Sequence, residues 1–173
     1  QTQVTTTASD TQICLGETVT LNSTGGNGSY NWTTSPNTTG LSATTGTTIT
    51  FTPTTAGTYT ITATSTDGNT VCPQDVTDSV TIVVNDNIPP TFDTFGPYCE
   101  GATVATLPTT SNNGINGNWS PAINTNSTTT YTFTPEAGSC ANSVSMTVNV
   151  KDCNNAFIYP NPTASGYFYL NIP

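Results

Sequence analysis

The sequence contains almost no positive charge and no histidine. Of its 173 residues only Lys151 is basic, against 10 Asp and Glu residues. A single cation cannot neutralise a run of phosphates, which excludes nucleic-acid binding and docking on anionic lipid. Without histidine there are no Ser-His-Asp or Cys-His catalytic groups and no imidazole metal ligands. No apolar run approaches the roughly 20 residues that cross a bilayer, so membrane insertion is not expected.

Threonine and asparagine take the place of the missing charged residues. The chain has 42 Thr and 19 Asn residues, together with 15 aromatic residues. Disordered chains are rich in charge and poor in aromatic residues, which is the opposite composition. Thr, Val, Ile and Tyr suit a half-buried pleated surface, and the helix formers Lys, Arg, Glu and Gln are scarce. We therefore predict an all-β protein.

Two copies of one pattern divide the chain. Five landmarks recur in the same order: Cys-x-Gly, a tryptophan, Thr-Tyr-Thr, a second cysteine and Ser-Val. In the first copy they begin at Cys14, Trp32, Thr58, Cys72 and Ser79, and in the second at Cys99, Trp119, Thr130, Cys140 and Ser143. The repeat predicts one domain over residues 1–86, a shorter one over 87–150, and a tail over 151–173.

Alternation of polar and apolar residues marks the strands within each copy. A period of two, interrupted by Gly, Asn and Pro turns, predicts an antiparallel sandwich. In the first copy the alternating segments are TVTL (18–21), TITF (48–51), TYTIT (58–62) and SVTIVV (79–84). A tryptophan on the third strand of such a unit is typically a core residue, and we interpret Trp32 and Trp119 in this way. Exposed platforms that stack on sugars are the alternative.

The five cysteines indicate export, because none lies in a C-x-x-C pair and an extracellular or periplasmic disulfide framework is then expected. A first residue other than Met also suggests a processed, exported chain. In each copy the first cysteine precedes the strand that begins with Thr-Val, and its mate follows the strand that contains Thr-Tyr-Thr, and we expect these two points near the same end of the sandwich. This predicts disulfides Cys14–Cys72 and Cys99–Cys140, with Cys153 unpaired or bonded between chains.

The pattern C-x-G-x-T-V-x-L, Trp, Thr-Tyr-Thr, Cys, Ser-Val-x-x-x-V covers roughly residues 10–150. It resembles the immunoglobulin-like or PKD-like repeats of large surface proteins from type IX-secreting bacteria. The tail NAFIYPNPTASGYFYLNI is similar to the opening of the type IX C-terminal sorting domain, through Tyr159, Pro160, Asn161, Pro162, Gly166, Phe168 and Leu170. The resemblance implies two tandem immunoglobulin-like sandwiches in a secreted, cell-surface protein.

Two shorter resemblances concern modification and calcium. Asp78-Ser79-Val80 resembles the O-glycosylation acceptor of such bacteria and implies a glycan on Ser79, the alternative being an ordinary strand residue. The linker VNDNIPP (84–90) resembles the calcium-binding linker of cadherins. The oxygen ligands that this implies would come from Asn85, Asp86, Asn87 and Glu100. A proline-stiffened hinge is the alternative, and no other cofactor is expected.

Catalysis is not expected either. Glycoside hydrolysis needs two facing carboxyl groups, one of them with a raised pKa. The candidate carboxylates are Asp75, Asp78, Glu100 and Glu136. We expect them in polar loops and turns, where no apolar surroundings would raise a pKa.

A difference in length between the copies predicts how the chain assembles. Trp32 and Tyr59 are 27 residues apart, whereas Trp119 and Tyr131 are only 12 apart. The missing residues are about one hairpin, so the second sandwich should lack one or two strands. In the tail, alternate apolar residues indicate a strand that would fill the gap by β-augmentation, in its own chain or in the next. These residues are Phe168, Leu170 and Ile172, and the competing donor strand is residues 1–7.

The sequence thus predicts a non-catalytic extracellular building block of a surface adhesin or filament. Its partners would be other copies of itself or other surface proteins. A carbohydrate-binding module for surface glycans and a spacer in a larger secreted protein are the rival interpretations. Exposed, coplanar aromatic residues would favour carbohydrate binding, and a second sandwich that lacks a strand would favour assembly.

Overall fold

A computed structural model describes residues 3–36 and 40–153. Contacts between residues divide the chain into two compact units, residues 1–88 and 89–173. The described ranges contain strands, turns and loops, which confirms the predicted all-β class. No helix in these ranges has the length and hydropathy to cross a membrane.

The first unit is a sandwich of two sheets. Its strands are β1 (Thr5–Ala8), β2 (Gln12–Cys14), β3 (Val19–Thr24), β4 (Asn31–Ser35), β5 (Thr48–Phe51), β6 (Gly57–Thr66) and β7 (Asp75–Asn85). One sheet has the order β1-β3-β5 and the other the order β2-β7-β6-β4. Neighbouring strands are antiparallel except β2, which runs parallel to β7. The four strands predicted from alternation lie in β3, β5, β6 and β7, and those predictions are confirmed.

Alternation along the strands places the core of the first unit between its two sheets. In β6, Tyr59, Ile61 and Ala63 are buried, while the threonines between them face outwards and are half-buried. Trp32 on β4 is only 2% exposed, which confirms its assignment to the core. Its indole Nε1 donates a hydrogen bond of 2.8 Å to the carbonyl oxygen of Gly46, so its one polar atom is satisfied.

The loop segment 40–47 covers an edge strand of each sheet in the first unit. Beside β5, the amide of Ser42 donates to the carbonyl oxygen of Thr50 at 2.8 Å. Beside β4, the amide of Trp32 donates to the carbonyl oxygen of Thr44, also at 2.8 Å. An uncovered edge offers unpaired N–H and C=O groups to other chains. This segment removes that exposure at β4 and β5.

The second unit has fewer strands and no second three-stranded sheet among the described residues. Its strands are β8 (Tyr98–Cys99), β9 (Gly117–Ser120), β10 (Thr129–Pro135), β11 (Val144–Val148) and β12 (Val150–Lys151). The order β11-β10-β9 is antiparallel, and β12 pairs with β8 in parallel. By landmark order these strands correspond to β2, β4, β6 and β7. The described part of this unit has no counterpart of β1, β3 and β5.

An aromatic cluster covers the sheet of the second unit. Phe133 on β10 is fully buried, and its ring centroid lies 4.7 Å from that of Phe92 and 5.3 Å from that of Trp119. Trp119 is half-buried, and its Nε1 donates to the carbonyl oxygen of Pro108 at 3.0 Å. Phe92 lies outside any strand, so a loop supplies the side chains that a second sheet supplies in the first unit.

Candidate functional site

The cysteine pairing differs from the prediction. Cys99 forms a disulfide with Cys153, with 5.4 Å between their Cα atoms, and Cys72 is an exposed free thiol. The predicted pairs Cys14–Cys72 and Cys99–Cys140 are therefore wrong. The prediction that Cys153 is unpaired or bonded between chains is wrong as well. Cys14 and Cys140 are both disulfide-bonded residues.

Strand direction explains this correction. β2 is parallel to β7 and places Cys14 opposite Asn85, at the last residue of β7, whereas Cys72 precedes the first residue of that strand. At about 3.3 Å per residue, the ends of β7 are roughly 33 Å apart. The two cysteines thus lie at opposite ends of the unit. In the second unit the same arrangement places Cys99 opposite Lys151, next to Cys153.

The two Thr-Tyr-Thr landmarks place a buried tyrosine at the start of corresponding strands. The hydroxyl of Tyr59 donates to the carbonyl oxygen of Thr55 at 2.7 Å. The hydroxyl of Tyr131 donates to the carbonyl oxygen of Asn124 at 3.1 Å and accepts from the amide of the same residue at 2.8 Å. Both arrangements resemble the tyrosine corner of immunoglobulin-like sandwiches. Sequence reasoning missed this role, although the repeated tyrosine was its signal.

The carboxylates examined as catalytic candidates lie apart or serve the backbone. Asp78 Oδ2 accepts a 2.6 Å hydrogen bond from the amide of Thr6 on β1. Asp75 begins β7, while Glu100 and Glu136 are exposed beside turns of the second unit. Asp67 is a further loop carboxylate, and hydrogen bonds from the amides of Asn69 and Gln74 hold its pKa below the usual range. The Asp67 contacts organise a loop, and the Asp78 contact joins β7 to β1.

The proposed calcium ligands belong to both units. In the first unit, Asn87 Nδ2 donates to the carbonyl oxygen of Leu15 at 3.1 Å, and the amide of Asn87 donates to Asp86 Oδ1 at 2.9 Å. The carbonyl oxygen of Asn85 accepts from the amide of Leu15. In the second unit, the amide of Glu100 donates to the carbonyl oxygen of Lys151. Within the described ranges no three His, Cys, Asp or Glu residues form a metal-binding group, and calcium stays a prediction.

A polar cleft opens at one end of the first unit. It has a volume of about 420 Å³ and is lined by hydroxyl and amide groups from the β3–β4 loop, the segment 45–47 and the end of β6, with Asp75 as its one charged residue. All aromatic residues in the described ranges are buried or half-buried. The cleft therefore has hydrogen-bonding groups for a polar ligand but no exposed ring to stack on a sugar. Ser79 is exposed on β7, and its glycosylation stays a prediction.

The outer edge of β11 is open. Asn149 and Lys151 direct their carbonyl oxygens away from β10, to the amides of Tyr98 (2.9 Å) and Glu100 (2.8 Å). Because alternate residues point to the same side of a strand, Ser145 and Thr147 direct their backbone groups outwards as well. No described residue forms a backbone hydrogen bond with them on that side.

The corresponding strand of the first unit is shielded. The amide of Val83 on β7 donates to the carbonyl oxygen of Thr11 at 2.8 Å, and β2 pairs with the end of the strand. Further along, β1 lies beside β7 and Thr6 contacts Asp78. Residues 5–7 of the competing donor segment thus pair within their own unit, with β3. The other proposed donor residues, Phe168, Leu170 and Ile172, lie outside the described residues, as does the segment that resembles a sorting domain.

Comparison with protein families finds one match. Residues 3–72 match the PKD domain, a module with an immunoglobulin-like fold. The matched range runs from the residues before β1 to the loop after β6. PKD domains are typically extracellular and non-catalytic. No curated protein matches the chain.

Proposed function

We propose that the protein is a non-catalytic building block of a bacterial surface adhesin or filament, and that its copies assemble by strand exchange. The difference between the two units carries this proposal. In the first unit the segment 40–47 covers β4 and β5, and β2 pairs with the end of β7, whereas no described residue pairs with the outer side of β11 at Ser145 and Thr147. An exposed edge of this kind is a template for pairing with another strand.

An extracellular location is supported by two observations. Residues 3–72 match a domain that is typically extracellular, and the exposed cysteines Cys99 and Cys153 are joined in a disulfide. Structural disulfides persist in oxidising compartments. Export through the type IX system, with a sorting segment in the tail, belongs to the same proposal.

The partners proposed are other copies of this chain and other surface proteins. The net charge of −9 excludes polyanionic partners and keeps free copies apart in solution. Association must therefore come from uncharged contacts such as backbone hydrogen bonds and apolar side chains. Strand addition uses both of these.

Deletion of residues 154–173 tests this function. Negative-stain electron microscopy of the full chain should show polymers, and the deletion variant should be monomeric. Non-reducing peptide mapping is the control, because the Cys99–Cys153 disulfide must remain. Polymers that persist in the deletion variant would contradict assembly through the tail.

Carbohydrate binding is the second candidate, and the polar cleft of the first unit favours it. An uncharged glycan would fit the hydroxyl and amide lining and the single carboxylate. Glycan-array binding that is lost in Asp75→Ala and kept in Asp10→Ala would support this candidate. Since catalysis is not proposed, substitutions at Asp75, Asp78, Glu100 and Glu136 should leave assembly unchanged.

A further inference from the structure

The outer edge of β11 lacks the usual protection against strand addition. Natural sheets protect edges with lysine, proline, bulges or a covering segment. β11 reads VSMTV, without charge or proline, and no bulge interrupts its pairing with β10. In the second unit Thr109 and Thr110 lie beside β9, much as the segment 40–47 lies beside β4, and neither segment covers β11.

One end of this edge is fixed. The parallel pair β8–β12 occupies the outer side next to Asn149 and Lys151, and the Cys99–Cys153 disulfide joins β8 to the chain two residues after β12. In the part of the chain that the structure describes, the stretch around Ser145 and Thr147 has no backbone partner on this side. These two residues offer two N–H and two C=O groups, enough for a short strand to pair.

The chain itself contains a segment suited to this edge. Residues 154–173 contain none of the 11 charged residues, although the whole chain carries a net charge of −9. Residues 167–172 read YFYLNI, with strong β-formers and no proline. An uncharged segment can approach an acidic protein without the repulsion that separates two whole copies.

We infer that the outer edge of β11 accepts residues 167–172 of a second copy as an added strand, next to Ser145 and Thr147. This inference rests on the proposed function and identifies its acceptor. Each copy then offers a donor and an acceptor at different places, a heterologous arrangement that builds filaments unless rotation closes a ring.

Ser145→Pro in the full chain tests the acceptor. Proline is tolerated on an edge strand where the N–H faces outwards, and it removes that donor. Its matched control is Ser145→Thr, which keeps both the N–H and a hydroxyl for the 2.9 Å hydrogen bond to Thr132. Sedimentation velocity should show self-association at least about tenfold weaker for Ser145→Pro and unchanged for Ser145→Thr.

Hydrogen exchange on the unmodified chain provides a second measurement that needs no variant. The amides of Ser145 and Thr147 should exchange rapidly in dilute monomers and become protected as the concentration rises. Protection at all concentrations in a monomer would mean that the chain fills its own edge, which overturns the inference.

Other outcomes separate this inference from the proposed function. If deletion of residues 154–173 abolishes polymers but Ser145→Pro does not, the acceptor lies elsewhere, and the inference fails while the proposed function stands. If the full chain is monomeric and both amides stay unprotected, both fail.

Discussion

The two units contain the same landmarks but bury their sheets in different ways. The first places a second sheet over β6 and buries side chains from both layers. The second covers β10 with loop side chains such as Phe92 and Leu107, and a disulfide joins β8 to Cys153, just after β12. Corresponding core residues can thus be buried either under a second sheet, as in the first unit, or under loops joined by a disulfide, as in the second. Small units bury little core, so such replacements carry much of their stability.

Removing the Cys99–Cys153 disulfide should give the largest difference between the units. Its closed loop spans 54 residues, for which the chain-entropy model gives about 4 kcal/mol of stabilisation. The double variant Cys99→Ser/Cys153→Ser should therefore have a second unit that is less stable by about this amount, and chemical denaturation measures the loss. Trp119 fluorescence reports on the second unit and Trp32 on the first.

The first unit is the internal control for that experiment. Its transition, followed through Trp32, should stay where it is in the unmodified chain. An unchanged Trp119 transition in the double variant would show that the loop cluster alone holds the second unit.

Gly117→Ala should destabilise the second unit by about 1–3 kcal/mol, because overpacking displaces a well-packed neighbour. A Cβ atom at this buried position on β9 would meet the carbonyl oxygen of Thr134 and the ring of Phe133. Thermal unfolding followed through Trp119 measures the effect. Asn118→Ala, at the exposed neighbouring position, is the matched control and should have little effect.

Removing the tyrosine hydroxyls should cost less, about 1–2 kcal/mol in each unit. Tyr131→Phe loses two hydrogen bonds to Asn124, and Tyr59→Phe leaves the carbonyl oxygen of Thr55 without its donor. Urea denaturation of the two variants compares the corners directly. Tyr98→Phe is the control, and an equal loss there would contradict a special role for the corner.

Asp67 should have the smallest effect, confined to acidic pH. Its pKa lies below the ordinary value of 3.8, so ionised Asp67 stabilises the first unit above that value, and this contribution is lost as pH falls through the lower, folded value. Asp67→Asn keeps an acceptor oxygen but does not titrate. Acid titration followed through Trp32 should show a slightly weaker pH dependence in the variant, with no change in the Trp119 signal. An identical pH dependence would show that the loop contributes nothing.

Local pattern predicted the strands of the first unit well, because alternation directly determines which side chains face a core. TITF (48–51) coincides with β5, and TYTIT (58–62) lies inside β6. The same reasoning expected Trp32 in the core, where it lies. These features depend on neighbouring residues alone, and the sequence contains all of that information.

Pattern failed where structure depends on distant partners. The second copy reads TVATL at 103–107 where the first reads TVTL at 18–21, yet this segment is not a strand, and of its residues only Leu107 is buried. A counterpart of β5 is missing there, and Pro108 removes a backbone donor. The cysteine pairing depends in the same way on strand direction across a sheet. Landmark order along the chain does not contain that direction.

Because Cys72 is a free thiol, the exchange of disulfides during oxidative folding depends on when the strands of the first unit form. A thiolate attacks a disulfide only by direct contact, so an unfolded chain can exchange bonds among all five of its cysteines. Once β2 pairs with the end of β7, roughly 33 Å of extended backbone separates Cys14 from the start of that strand, and Cys72 can no longer reach Cys14. Pairing of these two strands thus ends the exchange between these two cysteines.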